Sequence, residues 1–355
     1  MLPKHIDTWQ MTTPGVLERT RIPMPELSPG DAVVEIAGCG VCHTDLSYFY
    51  MGVPTIQQPP LSLGHEISGV VIAGDEAVIG KEVIVPAVIP CGECELCRSG
   101  RGNRCLSQRM PGYSMGIYGG FSSHIVVPAN VLCVVPDRGG VPLEHLAVVA
   151  DAVTTPYQAG LRARLQPGDR AIVIGAAGGV GSFMTQVAKG MGCAAVVGID
   201  INEEKLQMMR DYGADLTINP KGRSPKDLKK LITEYCVERG LPSGYGWKIF
   251  EVTGTKAGQE LALALLSYTG TLVVVGYGTD QTTYMLSRLM AFDAEIIGTW
   301  GCTPEKYPEV LGMCLDGRIA LAPFVEERPM SQIAQVFELA HHGELKKRVV
   351  LTPDF

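Results

Sequence analysis

Arg170-Ala171-Ile172-Val173-Ile174-Gly175-Ala176-Ala177-Gly178-Gly179-Val180-Gly181 is the stretch that decides the fold. Its first five residues read as a buried strand, and the apolar spacing over 180–191 is helical. Between them lies a glycine-rich turn. Glycine lets a backbone approach a pyrophosphate closely, and the N–H groups and dipole of a helix N-terminus favour anions. A strand before the turn and a helix after it are the context that gives such a motif meaning. The turn carries one more residue before the Gly178-Gly179 pair than the tightest version, which predicts a looser bend. Gly175, Gly178, Gly179, Val180 and Gly181 are the candidate phosphate cradle. Asp200 follows Gly181 by 19 residues, just past the predicted strand Ala195-Val196-Val197-Gly198-Ile199. A carboxylate there bonds a ribose 2′-OH and repels a 2′-phosphate, so NAD is expected rather than NADP.

Working outward, strands and helices continue to alternate. A helix is predicted over 203–212 with Asn202 as its N-cap, then strands over 248–252 and 272–275. Val275, at the end of the last of these, joins the expected cofactor-binding set. This order predicts a parallel doubly wound sheet. Upstream, the texture differs: short β-branched runs over 32–36, 68–72 and 82–85 sit among Gly and Pro, which predicts an all-β, barrel-like part. After about 298 the texture is mixed again.

The chain has 355 residues, 46% of them hydrophobic and 19% charged, enough for two sizeable cores. A net charge of −7 argues against a nucleic-acid partner, which needs clustered Lys and Arg. No apolar run reaches the ~18 residues of a membrane span, and Met1-Leu2-Pro3-Lys4-His5-Ile6-Asp7 does not read as a signal peptide. Eleven cysteines in a chain this long fit a reducing cytoplasm better than a disulfide scaffold. Four of them, Cys91, Cys94, Cys97 and Cys105, have the spacing of a closed, structural zinc site. Cys39, Cys133, Cys193, Cys236, Cys302 and Cys314 read as core thiols. Cys42 and His65, in Gly40-Val41-Cys42-His43-Thr44-Asp45 and Gly64-His65-Glu66, could serve a second, open site.

These two segments, the four-cysteine lobe, Val153-Thr154-Thr155-Pro156-Tyr157 and the glycine turn occur in the order of the zinc-dependent medium-chain alcohol dehydrogenases, which the chain resembles over nearly its whole length. The resemblance implies a GroES-like catalytic domain over 1–152 and 298–355, with a structural zinc lobe at about 90–106. A Rossmann NAD-binding domain over 153–297 would be inserted in it. Two zinc ions per chain are implied, one catalytic and one structural. Cys42 and His65 match catalytic zinc ligands, and Asp151 stands where the family usually has a third cysteine. Carboxylate oxygen is a legitimate zinc ligand, and two anions with one neutral imidazole offset Zn²⁺. Glu66 matches a residue that can approach the metal, and Asp45 an acid that orients the ligand histidine. Thr44 matches the hydroxyl that takes the alcohol proton. His43 and Arg348 match positions that touch the cofactor pyrophosphate. Ser47 stands near a histidine that ends the proton relay in many members, so that end differs here.

Across the whole chain the sequence is also similar to the 6-hydroxycyclohex-1-ene-1-carbonyl-CoA dehydrogenases of anaerobic benzoyl-CoA degradation. That similarity implies oxidation of a small-molecule ring alcohol, an alicyclic acyl-CoA, with NAD⁺. The expected wall residues are Tyr48, Phe49, Tyr113, Tyr118 and Trp300. The same motifs would serve another alcohol or polyol. A zinc-free quinone reductase would lack both cysteine lobe and ligand set, and a structural NAD-binding protein would need no open metal position. By analogy with the family, dimers or tetramers are expected through the cofactor domain, with an exposed edge strand near 272–278.

Overall fold

The computed structural model describes residues 2–355. Two compact units emerge. One runs to Thr154 and resumes over Gly301–Asp316 and Leu321–Phe355; the other is Thr155–Trp300 with Gly317–Ala320. The crossings lie slightly beyond the expected 152 and 297 for local reasons. Thr154 is fully buried and its Oγ1 donates to Ala150 O at 3.0 Å, which ties it to the first unit. Gly317–Ala320 cluster with the second unit. There Ala320 N donates to Gln186 Oε1 at 2.7 Å.

The first unit is built on strands. β1 (His5–Thr13) and β2 (Val16–Pro23) form a hairpin. β3 (Asp31–Gly40), β4 (Glu66–Gly74), β5 (Glu82–Val85), β6 (His124–Pro128) and β7 (Cys133–Val134) follow in the chain. β3 is the hub: it pairs antiparallel with β4 along its length, with β6 over Asp31–Glu35, and with a returning C-terminal strand at Cys39 and Gly40. β3 is buried at most of its positions, with Ala32, Val33 and Val34 fully buried in succession, so both of its faces are covered. Its inward residues Val34, Ile36 and Cys39 join Ile67, Phe121 and Phe337 in one core.

In the second unit, β8 (Arg170–Ile174), β9 (Ala195–Ile199), β10 (Leu216–Ile218), β11 (Trp247–Glu251), β12 (Thr271–Val274) and β13 (Glu295–Gly298) form one parallel sheet in the order β10-β9-β8-β11-β12-β13. Every residue of β8 and β9 is buried, as expected of strands covered on both faces. The order reverses across β8 and β11, the switch point beside which doubly wound sheets bind their ligands. β12 is not the exposed edge expected near 272–278, because β13 pairs along it over Glu295–Gly298 and takes the edge position. The helix expected over 203–212 stops at Met208, where turns take over. β14 (Val325–Pro329) and β15 (Arg348–Thr352) return to the first unit, β15 beside β3. Among the described residues, no helix is long and apolar enough to cross a membrane.

Two glycines of the turn after β8 have no substitute. Gly175 has φ +89°, and a Cβ there would meet Thr253 Cγ2 at 2.6 Å. A Cβ on Gly181 would lie 1.8 Å from Gly175 O. The neighbouring turn after β11 is held by a fully buried carboxylate. Glu251 Oε1 accepts from Thr253 N at 2.8 Å and Thr253 Oγ1 at 2.5 Å, and Oε2 accepts from Gly254 N at 3.2 Å. Glu251→Ala would strand these donors and should cost about 3 kcal/mol of stability, read as a lower urea midpoint with unchanged m.

Candidate metal centres and dinucleotide site

The open cluster is assembled by one buried acid. Cys42 ends the turn after β3, and the helix His43–Met51 starts directly behind it. Asp45, fully buried in that helix, accepts Cys42 N through Oδ2 and Gly64 N through Oδ1, both at 3.0 Å. It thereby ties the segment carrying Cys42 to the segment carrying His65. One donor atom from each of Cys42, His65, Glu66 and Asp151 lies within 4.8 Å of the others. Asp151 Oδ2 is 3.9 Å from Cys42 Sγ and 3.6 Å from His65 Nε2. Thr44 Oγ1 is 3.7 Å from Cys42 Sγ.

His65 tests whether the residues fit a metal. The ring is 1% exposed, yet neither nitrogen has a hydrogen-bond partner. Its closest carboxylate oxygens, at 3.4 and 3.6 Å, are loose contacts. Burial pulls the imidazole pKa down most strongly, but the Asp45 charge and the Asp151, Asp45 and Cys42 side chains together outweigh it and draw the ring well above its usual range. A buried ring with an orphaned nitrogen, facing a thiol and a carboxylate, suits a cation at the centre.

Glu66 faces a different partner. Burial pushes its carboxyl up to about 6 although Arg348 pulls the other way. Arg348 Nε donates to Glu66 Oε2 at 2.8 Å, and Arg348 Nη2 donates to Glu66 Oε1. Arg348, read from sequence as a pyrophosphate contact, is therefore a buried partner of Glu66. His43 is solvent-accessible, but surrounding protein lowers its pKa, and the charges of Arg348 and His341 add to this. Ser47 Oγ donates to His43 O at 2.9 Å, which occupies its proton within the helix. Tyr48 is buried and stacks on Tyr113, centroids 5.7 Å apart. Phe49 is buried against Phe337. Tyr118 and Trp300 are half-buried.

The four-cysteine lobe is closed. Sγ separations are 3.9 Å for Cys91–Cys97, 3.4 Å for Cys94–Cys97 and 3.8 Å for Cys94–Cys105. A tetrahedron with Zn–S of about 2.3 Å has edges of about 3.8 Å, so this site also fits the ion. The Cys97 backbone N–H pulls the Cys94 thiol down to about 6, which favours a thiolate ligand. The remaining six cysteines are buried and free.

In the second unit, Val180 caps the helix Gly181–Gly190 without a side-chain bond, and the glycine turn reaches into its first turn, where Ser182 N donates to Gly178 O at 3.0 Å. Asp200 Oδ2 accepts Ala177 N and Oδ1 accepts Asn202 N, both at 2.9 Å. The acid thus staples the glycine turn to the end of β9. Val275 N donates to Glu251 O at 2.9 Å, just past β12.

Two profiles match the chain: the alcohol dehydrogenase GroES-like domain over residues 28–137, and the zinc-binding dehydrogenase over 179–316. An alcohol dehydrogenase of Geobacillus stearothermophilus is 31% identical over 94% of this chain and 95% of its own length. The chain belongs to the zinc-binding medium-chain alcohol dehydrogenase family. Among solved structures, an acetophenone reductase from Geotrichum candidum in complex with NAD is 27% identical, with a TM-score of 0.85 over 99% of this chain and 98% of that one. The alcohol dehydrogenase of Thermus sp. ATN1 is 25% identical, with a TM-score of 0.85 over 98% of this chain and all of that one. The protein is a zinc-binding alcohol dehydrogenase, and its two donor clusters fit two zinc ions.

Sequence reading missed Glu251 and Tyr307. Tyr307 bonds to a carbonyl 157 positions away, and no local signal announces such a partner. Asp200→Gly should raise kcat/KM with NADP⁺ relative to NAD⁺ about tenfold, the worth of ~1.4 kcal/mol of charge repulsion. An unchanged ratio in a two-cofactor assay removes Asp200 from that role.

Proposed function

We propose that this dehydrogenase oxidises a ring alcohol beside a conjugated thioester, 6-hydroxycyclohex-1-ene-1-carbonyl-CoA, to the 6-oxo product. The observation that carries the chemistry is the convergence of Cys42, His65 and Asp151 on one point beside buried Asp45. Zinc held there supplies the Lewis acidity that makes an alcohol easier to deprotonate, and NAD⁺ supplies the hydride acceptor.

The chain's residues do the rest. Cys42 and Asp151 carry the two negative charges that match the ion, and His65 is the neutral third donor. Asp45, whose Oδ1 lies 3.4 Å from Nδ1, faces the ring of His65 and orients it by its charge. Thr44 Oγ1 accepts the alcohol proton and hands it on; with Ser47 turned back into its helix, water is the route out. Arg348 holds Glu66 by two bonds, which keeps a fourth anionic donor in reserve. Gly175, Gly178, Gly179, Val180 and Gly181 cradle the pyrophosphate, Asp200 takes the adenosine ribose, and Val275 lines the strand end beside them. His43 adds a donor toward the phosphates, and Arg348 contributes its charge behind it.

Whole-chain resemblance supports the thioester substrate. Stacked Tyr48 and Tyr113 suit a flat, unsaturated ring, and the conjugated product helps hydride leave. A simple alcohol or polyol is the second reading, favoured by the alcohol dehydrogenase activity named for the Geobacillus relatives. The many free thiols suit a reducing cytoplasm, and assembly as dimers or tetramers is part of the proposal.

Cys42→Ser should abolish turnover while NADH still binds, measured by fluorescence titration; full activity in that variant discards the mechanism. NADH formation from the thioester, beside simple and polyol alcohols, tests the substrate. Activity with simple alcohols alone keeps the chemistry and discards the thioester.

A further inference from the structure

We propose that Tyr307 is a positioning residue for the open metal cluster: its phenol fixes the peptide that carries Asp151. This rests on the reading of Asp151 as a metal ligand.

The stretch Glu144–Ala150 is a 3₁₀ run of seven residues that ends at Asp151, where φ is −141° and ψ −55°. Such runs rarely exceed ~4 residues because their hydrogen bonds are poorly aligned. Something outside the run must therefore fix its end. Ala150 O, the carbonyl directly before Asp151, accepts two side-chain bonds. Tyr307 OH donates to it at 2.5 Å and Thr154 Oγ1 at 3.0 Å. The same phenol oxygen accepts Ala87 N–H at 3.1 Å, which anchors it to the chain beyond β5. Ala150, Thr154 and Tyr307 are all fully buried. Asp151, in contrast, keeps 18% of its side chain exposed. Its backbone is nailed from behind while its carboxylate reaches Cys42 and His65. A phenylalanine would fill the same core volume, so packing alone does not require the hydroxyl. The hydroxyl is there for two backbone groups, and one of them belongs to the peptide bond of Asp151.

The test uses the full-length, zinc-loaded protein with Tyr307→Phe, Thr154→Val and Asp151→Ala. Zinc per chain is measured against rising chelator, with the four-cysteine ion as internal reference. The visible spectrum after cobalt exchange reports geometry at the open site. In Tyr307→Phe, open-site affinity is expected to fall about 10–100-fold, the usual loss for a group that orients a ligand. Its cobalt bands should shift while the four-cysteine ion stays. Wild-type affinity and spectrum in Tyr307→Phe, with the ion lost in Asp151→Ala, overturns the role of Tyr307 and leaves the ligand reading intact. Wild-type affinity in Asp151→Ala overturns the ligand reading itself. If Tyr307→Phe loses both ions and its thermal transition, Thr154→Val decides. A weakened, spectrally shifted open site there supports fixation of this carbonyl, and an unchanged one overturns it.

Discussion

The open cluster depends on one buried carboxylate. Asp45 is fully buried, and burying an anion is costly unless hydrogen bonds or a charge compensate. Its two oxygens spend themselves on the backbone of Cys42 and of Gly64, and Oδ1 also lies 3.4 Å from His65 Nδ1. The acid is thus the device that fixes a thiol and an imidazole from separate segments at one point. A cation at the cluster centre adds the charge that makes the whole group of anions tolerable. Glu66, equally buried, has found its own cation in Arg348.

The second unit answers a different constraint, close approach. A dinucleotide pyrophosphate is bound by backbone, so side chains must be missing where it lies. The glycines after β8 are missing them for a further reason: the turn is packed against its own carbonyl and against Thr253. Glu251 and Asp200 shape the adjoining turns with buried or half-buried carboxylates that accept only backbone and hydroxyl donors. Neither acid needs a cation partner there, because several N–H dipoles aimed at one oxygen pair do the same work.

Much of this was legible in the chain. The sequence pattern placed β5, β8 and β9 at their observed bounds, because buried strands are short apolar runs between turns. The glycine turn, the cysteine spacing and Asn202, whose Oδ1 accepts Lys205 N at 3.0 Å, are local features whose geometry follows from a few adjacent residues. The edge of the parallel sheet was not legible, since a strand's apolar run does not say which neighbour will cover it. Nor was the end of the 203–212 helix, where no strong stop residue stands before Gly213.

By itself, then, the sequence determined the kinds of element and the chemistry on offer: a phosphate turn, a closed thiolate site, and a thiol and an imidazole free for a second metal. Tertiary structure alone decided the pairings. It placed Asp151 beside Cys42 across 109 positions, buried Arg348 against Glu66 across 282, and set Tyr307 on Ala150 across 157. Local rules act over a few residues through backbone geometry. Contacts at such separations exist only after β15 has returned to β3 and the core has closed around both.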